Sequence, residues 1–245
     1  DQKKGAPSTG TPKPGDSIDL RYAPKSWQST YCFPDDPHKS LVSKTGELLY
    51  GHSGVNQQSD QPLHRVVVGV FGGAPAHFVE QTLESSGIPI ITTKLEWPEL
   101  SAVLTAFATN HKDEGRVDNL YIEFRSKTDA SVQCAPEIVV TSDSILVPEN
   151  THESASSRNR ICTVRIGSGQ GQVFMMVDSE AELEEAAGVR RFKLQSGPVA
   201  GSGALIFFVR LPQENQTPDM IKDGFEKPEA LLAGARSYWR EWKPF

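Results

Sequence analysis

The chain is short of nearly everything that would announce a chemistry. It has three cysteines, Cys32, Cys134 and Cys162, an odd number with no metal-ligand spacing. Their expected role is that of small buried hydrophobes, with one disulfide open to them if the protein is exported. No apolar run approaches the roughly 18 residues of a membrane-spanning helix, so no membrane partner is expected. There is no surplus of positive charge. Lys and Arg number 25 against 31 Asp and Glu, a net charge of −6, where a nucleic-acid binder needs a basic stripe. The six histidines, His38, His52, His64, His77, His111 and His152, are scattered without an H-x-H or H-E-x-x-H spacing, so no metal site and no cofactor are expected. A G-x-S-x-G nucleophile elbow is missing. Gly167-Ser-Gly-Gln-Gly171 lacks the G-x-G-x-x-G spacing and precedes a strand pattern, whereas a phosphate loop needs a helix N-terminus behind it. It reads as a hairpin turn.

What is present is strand pattern. The chain turns on residues 78–108. In Ile91 to Trp97 the odd positions put Ile91, Leu95 and Trp97 on one face, and the even positions put Thr92, Lys94 and Glu96 on the other. That is the period of a half-buried strand. Pro98-Glu99 forms the turn. Leu100, Ala102, Leu104, Ala106 and Ala108 then share a face, while Val103 and Phe107 lie opposite, which predicts a strand covered on both sides. Phe78–Glu84 is the strand before. Leu120, Ile122 and Phe124 alternate with Tyr121, Glu123 and Arg125 in the next strand.

Further strands are predicted at 64–71, 132–134, 137–141, 144–147, 162–166, 173–177, 190–194 and 204–211. Two short ones flank a Thr45-Gly46 turn, and a polar loop is expected over 148–160. The continuously apolar Ala204–Val209 belongs in the middle of a sheet. Ser179 to Gly188 predicts a short helix, with Ser179 and Glu182 at capping-box spacing and Gly188 at the C-terminal cap. The expected fold is mainly β: a large antiparallel β-sandwich with a short helix and a C-terminal linker helix. Residues 1–17 are expected to be a flexible tail, 18–212 the sandwich, and 213–245 a linker and an amphipathic helix. That helix starts near Lys227-Pro228. Leu231, Leu232, Ala235, Tyr238, Trp239 and Trp242 fall on one broad face. If Trp239 and Trp242 are exposed, another domain is expected to cover them; if buried, the sandwich does so.

One loop combines acids with rings. Asp35-Asp36 is set between Pro34 and Pro37, near Trp27, Tyr31 and His38. Rings cover the apolar C–H face of a sugar and carboxylates accept from its hydroxyls. Against this stands the plainer reading of a turn with solvated acids over buried aromatics, which Asp at a turn favours.

Two stretches carry a likeness to a known family. Gly87-Ile-Pro-Ile-Ile-Thr-Thr-Lys-Leu-Glu-Trp97, the strand from Leu100 to Phe107, and Val117-Asp-Asn-Leu-Tyr-Ile-Glu-Phe124 follow one another as consecutive strands. Ala230-Leu-Leu-Ala-Gly-Ala-Arg-Ser-Tyr-Trp-Arg-Glu-Trp242 follows as a linker-like helix. Together they resemble the N-terminal β-supersandwich domain, galactose-mutarotase-like in fold, of six-hairpin glycosidases, the glucoamylase-like and glycoside-phosphorylase-like enzymes. The resemblance covers most of residues 40–245 in style and order.

In that family the catalytic carboxylates lie mainly on an (α/α) barrel, so no catalytic residue carries over. The resemblance implies a non-catalytic domain that packs against a C-terminal helical catalytic domain and shapes the mouth of its site. Trp27, Tyr31, Asp35, Asp36 and His38 are the candidates for a ligand or barrel contact. Tyr238, Trp239 and Trp242 are the candidates for the domain interface. Carbohydrate is the expected ligand. The alternatives are a self-contained exported module that grips a polysaccharide, and a complete sandwich hydrolase whose acids cluster on a concave face. The tail at Asp1 is of the kind that follows a cleaved signal peptide, which makes a secreted or periplasmic location the expectation. The abrupt stop after Lys243-Pro-Phe245 is where a domain would be cut from a longer protein.

Overall fold

A computed structural model describes residues 16–34, 36, 39–50, 64–111, 115–142, 146–151, 161–166, 172–186, 189–213, 225 and 228–242. Two antiparallel sheets face each other as a β-sandwich. The larger has nine strands in the spatial order β1 (Ile18–Asp19), β6 (His77–Ser85), β7 (Ile88–Glu96), β8 (Leu100–His111), β9 (Gly115–Ser126), β18 (Ala204–Pro212), β14 (Gln172–Val177), β13 (Ile161–Ile166) and β12 (Leu146–Thr151). The smaller has seven, in the order β15 (Ala181–Ala186), β16 (Val189–Leu194), β11 (Pro136–Ser142), β5 (His64–Val70), β4 (Leu48–Tyr50), β3 (Leu41–Ser43) and β2 (Gln28–Thr30). A separate two-stranded pair joins β10 (Val132–Cys134) to β17 (Gly197–Val199). Among the described residues one α-helix, α1 (Pro228–Glu241), follows.

The alternating patterns set the register. Ile91 lies opposite Ala106, and Ala106 opposite Leu120, so the apolar faces of β7, β8 and β9 coincide. That face meets Val42, Leu48, Val66, Val68, Ile138, Val140 and Phe192 of the smaller sheet in one core. β18 sits between β9 and β14, as an all-apolar strand should. The outer face of the larger sheet is apolar only locally. There Ile90, Phe107, Val173, Met176 and Phe208 form a second cluster with Phe225 and Ala235. Phe107 is thus buried while Val103, on the same side of β8, is only half-buried. The helix covers one end of this face. Cys32, Cys134 and Cys162 are buried free thiols.

The predicted helix over Ser179 to Gly188 is not formed. Residues 181–186 are β15, an edge strand paired with β16 from Ala181↔Leu194 to Ala186↔Val189. Ala-Glu-Leu-Glu also alternates with period two, and pairing won over local helix propensity. Ser179 Oγ accepts the Gln195 N–H at 3.0 Å and donates to the Glu180 carbonyl, so it caps no helix. Cross-strand ion pairs reward the extended form: Lys193 with Glu184 at 3.0 Å and Arg190 with Glu185 at 3.2 Å. The loop expected from Pro148 is also a strand as far as Thr151, paired from Pro148↔Val164 to Thr151↔Ile161. β12 ends the sheet's order, and an edge strand tolerates proline. The glycine turn at 167–171, the loop 51–62 and residues 1–15 of the tail lie outside the described residues; Ser17 Oγ already donates to Leu83 O at 3.1 Å.

The β3–β4 turn matters below. Gly46 has φ of 84°, and a Cβ there would stand 3.0 Å from Thr93 Cγ2 and 3.1 Å from Leu104 Cδ1. Glycine lets the turn lean against the opposite sheet.

Candidate functional site

The Pro-interrupted loop after β2 and the C-terminal helix, far apart in sequence, meet at Phe33. The loop is tied by its own backbone. Phe33 N–H donates to Asp36 Oδ2 at 2.8 Å, and Asp36 N–H returns to Phe33 O at 3.2 Å, an Asx-type closure. Lys39 Nζ donates to the carbonyls of Phe33 and Pro34. So held, the Phe33 ring stacks on Trp239 with centroids 5.4 Å apart and meets the edge of Tyr238 at 4.9 Å. Trp239 in turn packs edge-to-face on Tyr238 at 5.4 Å and on Trp242 at 5.8 Å.

The four rings differ in exposure. Phe33 and Trp239 are buried at 3% and 8%, whereas Tyr238 and Trp242 remain 45% and 37% exposed. The predicted apolar face of the helix is therefore divided: Ala235 and Trp239 bind the sandwich, and Tyr238 and Trp242 face outward. A cleft of about 310 Å³ runs beside them, between Phe33, Thr109 and Asn110 on one side and Leu231, Gly234 and Tyr238 on the other. Arg236 Nε reaches both oxygens of Glu84 at 2.8 Å and pins the helix to β6. That pair is half-exposed, so it contributes at most about 1 kcal/mol.

Behind the loop lies a buried charge cluster. Arg116 and Asp118 continue the inward face of β9 below Leu120, Ile122 and Phe124, and both are buried. Arg116 stands 2.8 Å from Asp36 Oδ2 through Nη1 and 3.1 Å from Asp118 Oδ1 through Nε. Its Nη2 donates to Ser40 Oγ at 3.0 Å, and Ser40 donates to Asp118 Oδ2. Gln213 Nε2 donates to the same oxygen at 2.7 Å. Burial pushes the Asp118 carboxyl up to about 6, against the opposing pull of Arg116 and Ser40. Burial also works against the Arg116 charge, but the carboxylates of Asp118 and Asp36 outweigh it and hold the guanidinium above its usual range. Tyr31, fully buried beside this cluster, has its phenol held well above its ordinary range by burial and then by Asp118.

The candidates thus separate. Tyr31 is core. Asp36 is bound to Arg116 and orders the loop. Trp27 is half-exposed on the edge side of the smaller sheet, its indole N–H donating to Ser29 Oγ at 2.8 Å. It takes no part in the ring cluster. Asp35 and His38 lie outside the described residues. Tyr238, Trp239 and Trp242 come together with Phe33. Sequence reasoning missed Phe33, Arg116 and Asp118. The last two were visible: two charges in phase with the inward positions of a strand need each other or another partner. Phe33 could be placed only by the tertiary contact.

Among the described residues no group of three or more His, Cys, Asp or Glu is placed to hold a metal ion. Asp118 is enclosed on every side and Asp36 is bound to Arg116, so this cluster builds the loop and offers no pair of free carboxylates. What faces outward is aromatic: two rings at fixed angles beside a shallow cleft.

No family model matches the chain. No curated protein matches it either. Among solved structures, one titled "Putative kojibiose phosphorylase from human microbiome" is similar over 86% of this chain, with 8% identity and a TM-score of 0.37. The chain spans 31% of that protein's length. A likeness this distant leaves the assignment to the residues themselves.

Proposed function

We propose that this chain is a non-catalytic β-sandwich domain of a glycoside-processing enzyme, and that its aromatic edge packs against a helical catalytic domain and shapes the mouth of that domain's site. The observation that carries the reading is the division of the helix. Trp239 is spent on the sandwich, yet Tyr238 and Trp242 stay exposed while held at fixed angles. Large rings held rigid at a surface favour association, because little side-chain entropy remains to be lost. The sequence likeness to the supersandwich domain of six-hairpin glycosidases supplies the kind of partner.

A second reading is a carbohydrate-binding module. The cleft between Tyr238 and Asn110 favours it, since a ring and an amide side by side suit a sugar's C–H face and hydroxyls.

The test is turnover of a panel of oligosaccharides, by hydrolysis and by phosphorolysis, with this chain and with the complete gene product that carries it. The expected result is turnover by the complete product only. Turnover by the isolated chain overturns the non-catalytic reading. Saturable glycan binding at Tyr238, with no turnover by either protein, favours the module.

A further inference from the structure

We propose that the cleft between the β3–β4 turn and β5 binds a small, uncharged, polyhydroxylated ligand the size of a pyranose ring. This site is distinct from the aromatic edge. It lies toward the Leu100 end of β8, while the ring cluster lies toward the His111 end.

The register opens it. β4 pairs with β5 only from Leu48↔Val66 to Tyr50↔His64. Past Val66, the side of β5 away from β11 faces the Thr45–Glu47 turn, and a cavity of about 410 Å³ remains between them. That volume falls in the range of small-molecule sites. Its floor is Leu95, Trp97 and Leu104 of the opposite sheet, and its walls include Val67 and Val139.

One charged side chain in this lining is buried. Glu137 is 6% exposed, and its Oε1 takes Arg191 Nη1 at 3.0 Å. Its Oε2 is shut off from solvent and has no hydrogen-bond partner among the described residues. Leaving a buried acceptor in that condition is costly, so a ligand donor that reaches it is favoured. Gly69, paired opposite Glu137, makes the room. A Cβ there would stand 3.1 Å from Oε1 and 3.2 Å from Cγ of Glu137.

The charges decide the ligand class. Glu137 and Arg191 cancel, so neither an anion nor a cation is favoured without breaking the pair. A hydroxyl both donates and accepts. With the Arg191 bond to Oε1 kept and the half-exposed end of its side chain adjusting, one ligand hydroxyl donates to Glu137 Oε2 and a neighbouring one accepts from the guanidinium. The apolar walls and the Trp97 floor suit the C–H face of a ring.

The experiment is a titration of the ¹⁵N-labelled chain with methyl β-D-glucopyranoside, methyl α-D-mannopyranoside and myo-inositol, with guanidinium and acetate as charged controls. Saturable shifts of the Gly46, Gly69 and Val139 amides with at least one of the three polyols, and none with the two ions, are expected. Glu137→Gln, which keeps the shape and replaces Oε2 with a donor, weakens the binding by roughly tenfold or more. Gly69→Ala displaces the carboxylate and abolishes it, the rest of the spectrum reporting an intact fold. No saturable shift with any polyol overturns the proposal. So do equal shifts with the ions, shifts confined to Tyr238 and Trp242, or unchanged binding by both variants.

Discussion

Replacing Arg116 with leucine lowers the stability of the fold by about 3–5 kcal/mol, the range for removing one partner of a buried ion pair. The substitution leaves Asp118 enclosed beneath the core with only Ser40 and Gln213 to answer it, and it releases Asp36, which closes the Phe33 loop. The loss depends on pH. Burial already holds the Asp118 carboxyl at about 6, above the ordinary 3.8. A group whose folded pKa lies above its unfolded value favours the folded state at low pH, and that contribution is lost as pH rises through the folded value. Without Arg116 the carboxyl rises further, so the deficit of the variant is smallest near pH 5 and widens toward pH 8. Urea unfolding of both proteins across that range measures it. A deficit that is flat with pH, or under 1 kcal/mol, means that Asp118 does not depend on Arg116. Adding Asp118→Asn to Arg116→Leu recovers part of the loss at pH 8, because no charge is then left buried.

Trp239→Ala costs about 3–5 kcal/mol, the range for deleting a buried large aromatic side chain. The ring joins the main core and stacks on Phe33 at an interplanar angle of 10°. A 14-residue helix is marginal in water without such packing, so α1 separates from β7 and β8 before the sandwich unfolds. Amide exchange over residues 228–241 then approaches that of an unstructured segment, while the amides of β8 and β9 stay protected. Uniform protection across both regions in the variant contradicts this. The neighbouring exposed rings behave differently in the isolated chain, where Tyr238→Ser and Trp242→Ser each change stability by about 1 kcal/mol or less, as surface substitutions do.

How much of this was legible in the sequence follows the physics of each level. Strands with strict alternation could be read directly: Ile91, Leu95 and Trp97, then Leu120, Ile122 and Phe124, are inward in the structure. So could the helix, from Pro228 and its apolar face. The Ala181–Ala186 strand was misread because its residues suit both periods, and only the partner strand decides. Burial of Tyr31 could not be told from exposure, since a tyrosine in a Pro-rich loop fits either. The contact of Phe33 with Trp239 spans some two hundred residues of chain, and nothing local encodes it. The charged pair Arg116 and Asp118 was the readable signal passed over, because its partners come from two other segments, Asp36 and Ser40 from the loop before β3 and Gln213 from the end of β18. The opening beside Gly69 depends on where β4 stops pairing, a register detail that pattern alone does not give.

The most direct test of the central claim is to place Tyr238→Ser with Trp242→Ser in the complete gene product and in the isolated chain, and to measure urea unfolding of both together with oligosaccharide turnover. If the aromatic edge meets a helical catalytic domain, the isolated double variant unfolds almost as the parent does. The complete protein then loses about 2 kcal/mol or more, as expected for anchoring aromatic rings, and its turnover falls with it. If the complete protein keeps its stability and its turnover, the exposed rings bind no such domain.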